Sequence, residues 1–264
     1  MRLQFSGDVD DIEFTEICSR LVQCRVGKQP TSILNRDGRL STKRVLRRYM
    51  DLPKFLDLLY TKELYVRRAD GFSDRLEGAL FPLLRQGLDE FHREGTSEYT
   101  ADEFYTRARR GNYVSCWNMS AKDSMALWQL YGGVKHSVVV TTTIEKLMKT
   151  AWYWERESHF AKVKYINHKT MDTFIFPEYK EILEYKNKAY KFESELRVII
   201  PQQDTWESNK MGMRLPIKSI NELIRSVVVS PEASDGFYEA IKDLCKKYGV
   251  SSPVNRSALY YVPV

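Results

Sequence analysis

Apolar residues recur along this chain at two spacings, and the alternation between them predicts its elements. In EFTEICSRLVQCRV, Phe14, Ile17, Leu21 and Val22 fall at helical intervals, which predicts a short amphipathic helix near the N-terminus. LPKFLDLLYT predicts a helix with proline in its first turn. Pro82 to Ala108 reads as helical and charged, with Leu83, Leu84, Leu88 and Phe91 on one face. MALWQLYG predicts a short helix closed by Gly132 and Gly133, and further helices are predicted over IEKLMKTAWYWE, Pro177 to Lys188, and Gly236 to Tyr248.

Between these lie short apolar or β-branched runs that predict strands: ELYVRR, NYVSCW, HSVVVTTT, AKVKYI, LRVIIP, MRLPI, IRSVVVSP and a closing edge strand, RSALYYV. Several of them lack a helical crossover. The class implied is α+β, with mixed or antiparallel central sheets and flanking helices, rather than a doubly wound parallel sheet. Residues 1–46 are patterned unlike the rest and read as an N-terminal helical extension, a partner-docking arm, leaving residues 47–264 as the main domain.

Composition narrows the class further. A chain of 264 residues with 43% hydrophobic and 12% aromatic content can bury a full core. Mean hydropathy is -0.46 and no run approaches the roughly 20 apolar residues of a spanning helix, so a soluble cytoplasmic protein without a membrane partner is expected. Cys18, Cys24, Cys116 and Cys245 form no CxxC pair and no metal-like spacing with the four histidines, so reduced thiols and no metal are expected. The net charge of +6 is compatible with an anionic partner. Its densest local source, Arg39, Lys43, Arg44, Arg47 and Arg48, reads at helical spacing as a solvated face or as a phosphate-binding patch.

Phosphate-loop, dinucleotide, zinc-protease and nucleophile-elbow motifs are all missing from the sequence. Four stretches mix polar groups with stacking aromatics. In LYVRRADGFSDRLEG, Arg67 and Arg68 end a strand and suit a bidentate phosphate contact, or bridge Asp74 and Glu77 to pin the loop. In VSCWNMS, Ser115 and Trp117 share one strand face and could hold a flat amide ring, or simply pack. Trp128 and Tyr131, three apart on a helix, are core or a cofactor clamp. In KFESELRVIIP, Glu193 and Glu195 stand two apart before a strand, so both carboxylates are expected on one face. Such a pair needs a cation nearby: Lys186, Lys188, Lys191 and Arg197 as salt bridges, or a positive charge that develops in a reaction.

Two resemblances bear on that choice. From about Arg48 onward, the ordered blocks RYMDLPKFLDLL, ELYVRRADGFSDRLEG, VSCWNMS, ALWQLYG, KFESELRVI and VVVSPEAS resemble a bacterial family catalogued only as a domain of unknown function. That resemblance implies a protein of mobile or defence-associated loci. FESELRVIIP also resembles the catalytic-glutamate strand of ADP-ribosyltransferases of the arginine–serine–glutamate type. This second resemblance implies a split-sheet core and NAD as substrate. Glu195 would be the catalytic glutamate and Glu193 its partner toward the acceptor. Arg67 or Arg68 and Ser115 would bind NAD, with Trp117, Trp128 and Tyr131 as further candidates for that site. The family's serine-threonine-serine pattern is replaced here by Ser115-Cys116-Trp117.

The function expected is a NAD-consuming ADP-ribosyltransferase or NAD glycohydrolase, a toxin or phage-defence effector. It would act on a macromolecular acceptor, protein or nucleic acid, with a cognate antitoxin or partner subunit. Two other readings stand beside it. One is a nucleic-acid-binding or -cleaving module, with Asp70, Asp74 and Glu77 as the compact acidic group. The other is a non-catalytic interaction domain in which every polar residue named is a structural bridge.

Overall fold

A computed structural model of the chain describes residues 40–74, 76–169, 181–202 and 209–260, and residues 31–34 as backbone. The helix expected in EFTEICSRLVQCRV lies outside them. The first half contains strands β1 (Thr31–Leu34), β2 (Val45–Asp51), β3 (Glu63–Arg68) and β4 (Asn112–Asn118), with helices α1 (Leu52–Thr61), α2 (Pro82–Arg93) and α3 (Ala101–Arg110). Next come α4 (Met125–Tyr131), β5 (Ser137–Thr143), α5 (Ile144–Ala151), β6 (Ser158–Lys162), β7 (Lys164–Ile166) and β8 (Tyr185–Asn187). The chain continues through β9 (Glu195–Pro201), β10 (Gly212–Pro216), α6 (Ile220–Leu223), β11 (Ser226–Val229), α7 (Asp235–Lys247) and β12 (Val254–Arg256).

The architecture is α+β. Among the described residues, ten strands form one mixed sheet in the order β1-β6-β9-β4-β2-β5-β11-β12, with β3 on β4 and β10 on β3, while β7 and β8 form a small sheet of their own. The fork at β4 shapes the molecule. One edge of β4 pairs with β9 along its length, from Asn112 opposite Pro201 to Asn118 opposite Glu195. Its other edge pairs with β3 at Tyr113 and Val114 and with β2 only at Asn118. The sheet therefore splits between β2 and β3. Arg48 spans the gap, donating from Nη1 to Ser115 Oγ (3.2 Å) and from Nη2 to the Tyr65 carbonyl (2.9 Å).

The two faces of the sheet are covered differently. On one, Trp117, Leu196, Val198 and Ile200 join the main core with Phe55, Leu59, Leu147 and Ile241 from α1, α5 and α7. On the other, Val114 and Ile199 meet a smaller group of Ala69, Ala108, Ile182 and Leu183, drawn mostly from turns and loops. Strand alternation places Glu195 and Arg197 on this second face, beside Cys116.

Several expectations need correcting. Val45–Asp51 is a strand, so the described part of the basic run, Lys43 to Arg48, is not a helix face, and Arg39 lies outside the described residues. Arg44 and Arg47 instead donate to carbonyls of Met119, Ser120 and Ala121, and so fix the end of β4. Pro82 to Ala108 is two helices. Gly95 breaks it at a positive φ of 72°, and Thr100 and Glu103 close a capping box on α3. AKVKYI divides at Val163 between two sheets. The described part of Pro177 to Lys188 is a 3-10 turn (Glu181–Glu184) followed by β8. RSALYYV is not the closing strand: β12 ends at Arg256, and residues 261–264 lie outside the described region.

Candidate active site

A cavity of about 860 Å³ opens at the fork, between β2, β3 and the start of β9. Small-molecule sites typically enclose about 300–1,000 Å³. Its walls carry Tyr65, Phe72, Trp117, Tyr131 and Tyr190, and its cations include Arg47, Arg48 and Arg67. Its deep end is a cluster of five charged side chains: Glu77, Lys186, Glu193, Glu195 and Arg197. Each of the five is 6% exposed or less.

Arg197 is the strut of that cluster. Its Nε and Nη2 donate to Glu195 Oε2 at 3.1 and 2.9 Å, its Nη1 and Nη2 hold both oxygens of Glu77, and Nη1 also reaches the Leu183 carbonyl (2.7 Å). Lys186 donates to Glu193 Oε2 and lies 3.5 Å from Glu195 Oε2 and 4.0 Å from Glu77 Oε2. The Tyr131 hydroxyl donates to the other oxygen of Glu193. Three carboxylates against two cations leave the cluster with a formal charge of -1 when all are ionised. The Arg197 and Lys186 contacts with Glu195 all fall on Oε2, so Oε1 takes none of them.

The two glutamates are driven apart in acidity. Burial by itself would push the Glu195 pKa up, but Arg197 and Lys186 outweigh it and hold the carboxyl below its ordinary range. For Glu193, burial and the neighbouring charge of Glu195 push the pKa up, and Lys186 and Tyr131 offset only part of that. A pair split in this way suits one group that stays charged and one that exchanges a proton. Burial, followed by the two glutamates, also raises the Tyr131 hydroxyl, which stays protonated. Burial keeps the Cys116 thiol neutral despite its place in the wall.

The convergence of the glutamates is not the strand geometry expected. Glu193 ends a 3-10 segment (Lys188–Glu193), Ser194 takes a left-handed conformation at φ 42°, and the strand begins only at Glu195. Both carboxylates still meet Lys186, because β8 brings that residue in from the small sheet. The salt-bridge alternative therefore holds for Lys186 and Arg197, inside a cavity rather than away from one.

The other candidates divide. Arg67 and Arg68 point to opposite faces of β3, opposite Val114 and Tyr113 of β4. Arg67 lines the cavity on the face of Glu195 and makes no hydrogen bond or ion pair with any described residue. Gly71 makes room for it, since a Cβ there would fall 2.8 Å from Arg67 Nε. Arg68 is buried instead, with Nε and Nη2 on the Asp70 carboxylate at 2.7 and 2.9 Å. Ser115 lies on the core face, fully buried, where its Oγ accepts from Trp117 Nε1 (2.9 Å) and Arg48; Cys116 stands on the face of Glu195 in its place. Trp117 and Tyr131 line the cavity. Trp128 does not: it packs edge-on to Tyr49 in the core and donates to Asp123 (3.0 Å).

This division makes a prediction about stability. Arg67→Ala should change the unfolding free energy by no more than about 0.5 kcal/mol, as at other surface positions. Arg68→Ala should cost about 1.5–3 kcal/mol, because it strips the charged hydrogen bonds from Asp70. Urea denaturation of the two variants measures the contrast.

No family model matches the chain, and no curated protein matches it either. The resemblance to a domain of unknown function thus finds no support from family models. Solved structures of Thermus sp. 2.9 DarT are similar at a distance. The complex with NAD+ aligns at a TM-score of 0.42 and 9% identity, covering 85% of this chain and 100% of that one. The complex with carba-NAD+ aligns at 0.40 and 10% identity, covering 83% and 98%. The complex with ADP-ribosylated ssDNA aligns at 0.39 and 9% identity, covering 84% and 98%.

Glu77 is the residue whose role was hidden. Its partner Arg197 is 120 positions away, and nothing local in DRLEG distinguishes it from a loop carboxylate. It does not join Asp70 and Asp74 in a metal cluster. Asp70 is held by Arg68, Asp74 accepts from the Leu76 amide (2.9 Å), and Glu77 is held by Arg197. Among the described residues no group of three or more metal-ligating side chains converges, and no helix is long and apolar enough to cross a membrane.

Proposed function

We propose that this cavity binds NAD and that the protein cleaves its nicotinamide–ribose bond, passing ADP-ribose to a macromolecular acceptor or to water. One observation carries the reading: a carboxylate kept ionised by its neighbours, Glu195, faces a dinucleotide-sized cleft that also holds, on the same sheet face, an arginine, Arg67, with no ion-pair partner among the described residues.

The chemistry follows from that charge arrangement. When the bond from the ribose anomeric carbon to the nicotinamide nitrogen breaks, its electron pair leaves with neutral nicotinamide. The sugar is left as an oxocarbenium-like cation. A fixed carboxylate is complementary to that developing charge and not to the ground state, which is what accelerates a reaction. In this reading Oε1 of Glu195, which takes no contact from Arg197 or Lys186, accepts from a ribose hydroxyl. Arg67 meets the diphosphate, as arginine's planar fork suits. The ring of Tyr131, which lines the cavity and is exposed, provides a stacking wall for nicotinamide. Glu193, whose pKa is raised, takes the proton of the attacking hydroxyl as it adds to the sugar.

The test is direct. Incubated with NAD, the protein should release nicotinamide, and Arg67→Ala should lower kcat/KM about 10- to 100-fold, the worth of about 1.5–3 kcal/mol for a charged hydrogen bond. Absence of nicotinamide release with NAD and with candidate protein, RNA and DNA acceptors would remove this reading.

A further inference from the structure

We infer that Lys186 is a positioning residue of this site, the cation that keeps Glu193 ionised beside Glu195 by standing between the two carboxylates. The inference rests on the NAD-cleaving reading for its purpose, but the geometry behind it does not.

Lys186 does not belong to the sheet that carries the glutamate strand. It lies on β8, which among the described strands pairs with β7 alone, with Lys186 opposite Tyr165. The chain leaves the main sheet after β6 and returns to it at β9, although β6 and β9 are direct neighbours there. The excursion between them delivers a buried ammonium to three carboxylates. Burying an ammonium is costly, and a solvated side chain in its place would pack the same small sheet at less cost. Lys186 Nζ also lies 4.8 Å from the centroid of the Tyr190 ring, a further contact that favours its positive charge.

Among the described residues, the charged and titratable groups around Glu193 come from several elements. Lys186 comes from β8, Tyr131 from α4 and Glu195 from the start of β9, while Arg197 and Glu77 complete the cluster behind Glu195. Cys116 and Tyr165 adjoin Glu195 as neutral groups, the Tyr165 hydroxyl accepting from the Glu195 amide (2.8 Å). Arg197 already satisfies Glu195 and Glu77, and none of its hydrogen bonds reaches Glu193. Lys186 is therefore the cation that determines whether Glu193 is charged. Without it, one arginine would face three carboxylates. The cheapest relief is for Glu193 to take up a proton, which disables it as a base at neutral pH. Burial lowers the affinity of Lys186 for its proton, but Glu195 and the other carboxylates more than restore it, so the ammonium persists through the range in which Glu193 titrates.

The experiment uses the full chain. Carboxylate ¹³C NMR of the glutamates follows the protonation of the pair in wild type and in Lys186→Met, and the pH profile of nicotinamide release is recorded in parallel. An opposite charge at this range lowers a carboxyl by about 1–3 pH units, so K186M should raise the Glu193 midpoint by that amount. It should carry the acid limb of the rate with it. Lys186→Arg, which keeps the charge, should restore the wild-type limb. A Glu193 midpoint that does not move in K186M would overturn the inference, whether the rate falls or rises. Should the neutral variant fail to fold, wild type alone decides: a Lys186 ammonium that loses its proton below the Glu193 midpoint contradicts the proposal, and one that keeps its proton supports it. Loss of the NAD reading looks different: wild type releases no nicotinamide while the NMR midpoints still shift as described.

Discussion

Glu195→Gln is expected to reduce nicotinamide release from NAD by at least about 10²- to 10³-fold, the scale seen when one preorganised electrostatic contact to a developing charge is removed. The substitution keeps the shape of the side chain and an oxygen for Arg197, and removes only the charge. The loss should therefore fall on kcat, with KM for NAD little changed, because the charge matters most after the glycosidic bond has lengthened. Arg197 would still be held by both oxygens of Glu77, so the variant should remain folded. The non-catalytic reading makes the opposite forecast. If Glu195 served only as a bridge, its substitution would lower the melting temperature sharply and there would be no turnover to lose. A thermal melt and a nicotinamide assay on the same sample separate the two.

Arg197→Met is expected to be among the most destabilising single changes in the chain, at about 3–5 kcal/mol, the range for stripping one partner from a buried ion pair. The side chain is completely buried and answers two carboxylates and a carbonyl at once. Methionine fills much of the volume but leaves Glu77 and Glu195 with Lys186 alone. The sign of the pH dependence follows. Glu195 ionises below its ordinary range in the folded protein, so its contribution is present above the unfolded glutamate pKa of about 4.3 and lost as pH falls through the folded value. The raised pKa of Glu193 works the other way, favouring the folded state while the group is protonated. Urea denaturation at neutral pH should show the full gap between wild type and R197M. In acid the gap should narrow, since protonated carboxyls need no cation.

The sequence was most legible where the signal was local. The proline-initiated helix Leu52–Thr61, the glycine-closed helix Met125–Tyr131 and the strand after Glu195 all stand where their spacing placed them. The alternation in ELYVRR even contained the answer to the arginine question, since Leu64 and Val66 commit Arg68 to the core face and leave Arg67 on the other. The same alternation showed that Ser115 and Trp117 share a face. It could not show which face, because that depends on the register of β4 against β9, set by residues some 80 positions apart.

The charged cluster was only half legible. Lys186 and Arg197 are near the glutamates in sequence and were visible as partners, whereas Glu77 reaches Arg197 through tertiary structure alone. The basic run ending at Arg48 misled for a different reason. Its spacing fits a helix, VLRRYM carries no clean period of two to argue for a strand, and Leu46 and Met50 are buried by a sheet that no local pattern announces. The break of the long charged segment at Gly95 was marked by a T-x-x-E capping signal at Thr100 to Glu103, which a reading of apolar spacing alone passes over.

The central claim concerns where a dinucleotide lies, and a crystal structure with a non-cleavable NAD analogue measures it most directly. The account predicts the diphosphate on Arg67 and the nicotinamide-bearing ribose against the fork. Glu195 should sit within hydrogen-bond reach of a ribose hydroxyl, at about 2.6–3.2 Å. An analogue bound elsewhere on the molecule, or seated in the cleft with its ribose turned away from Glu195, would contradict it.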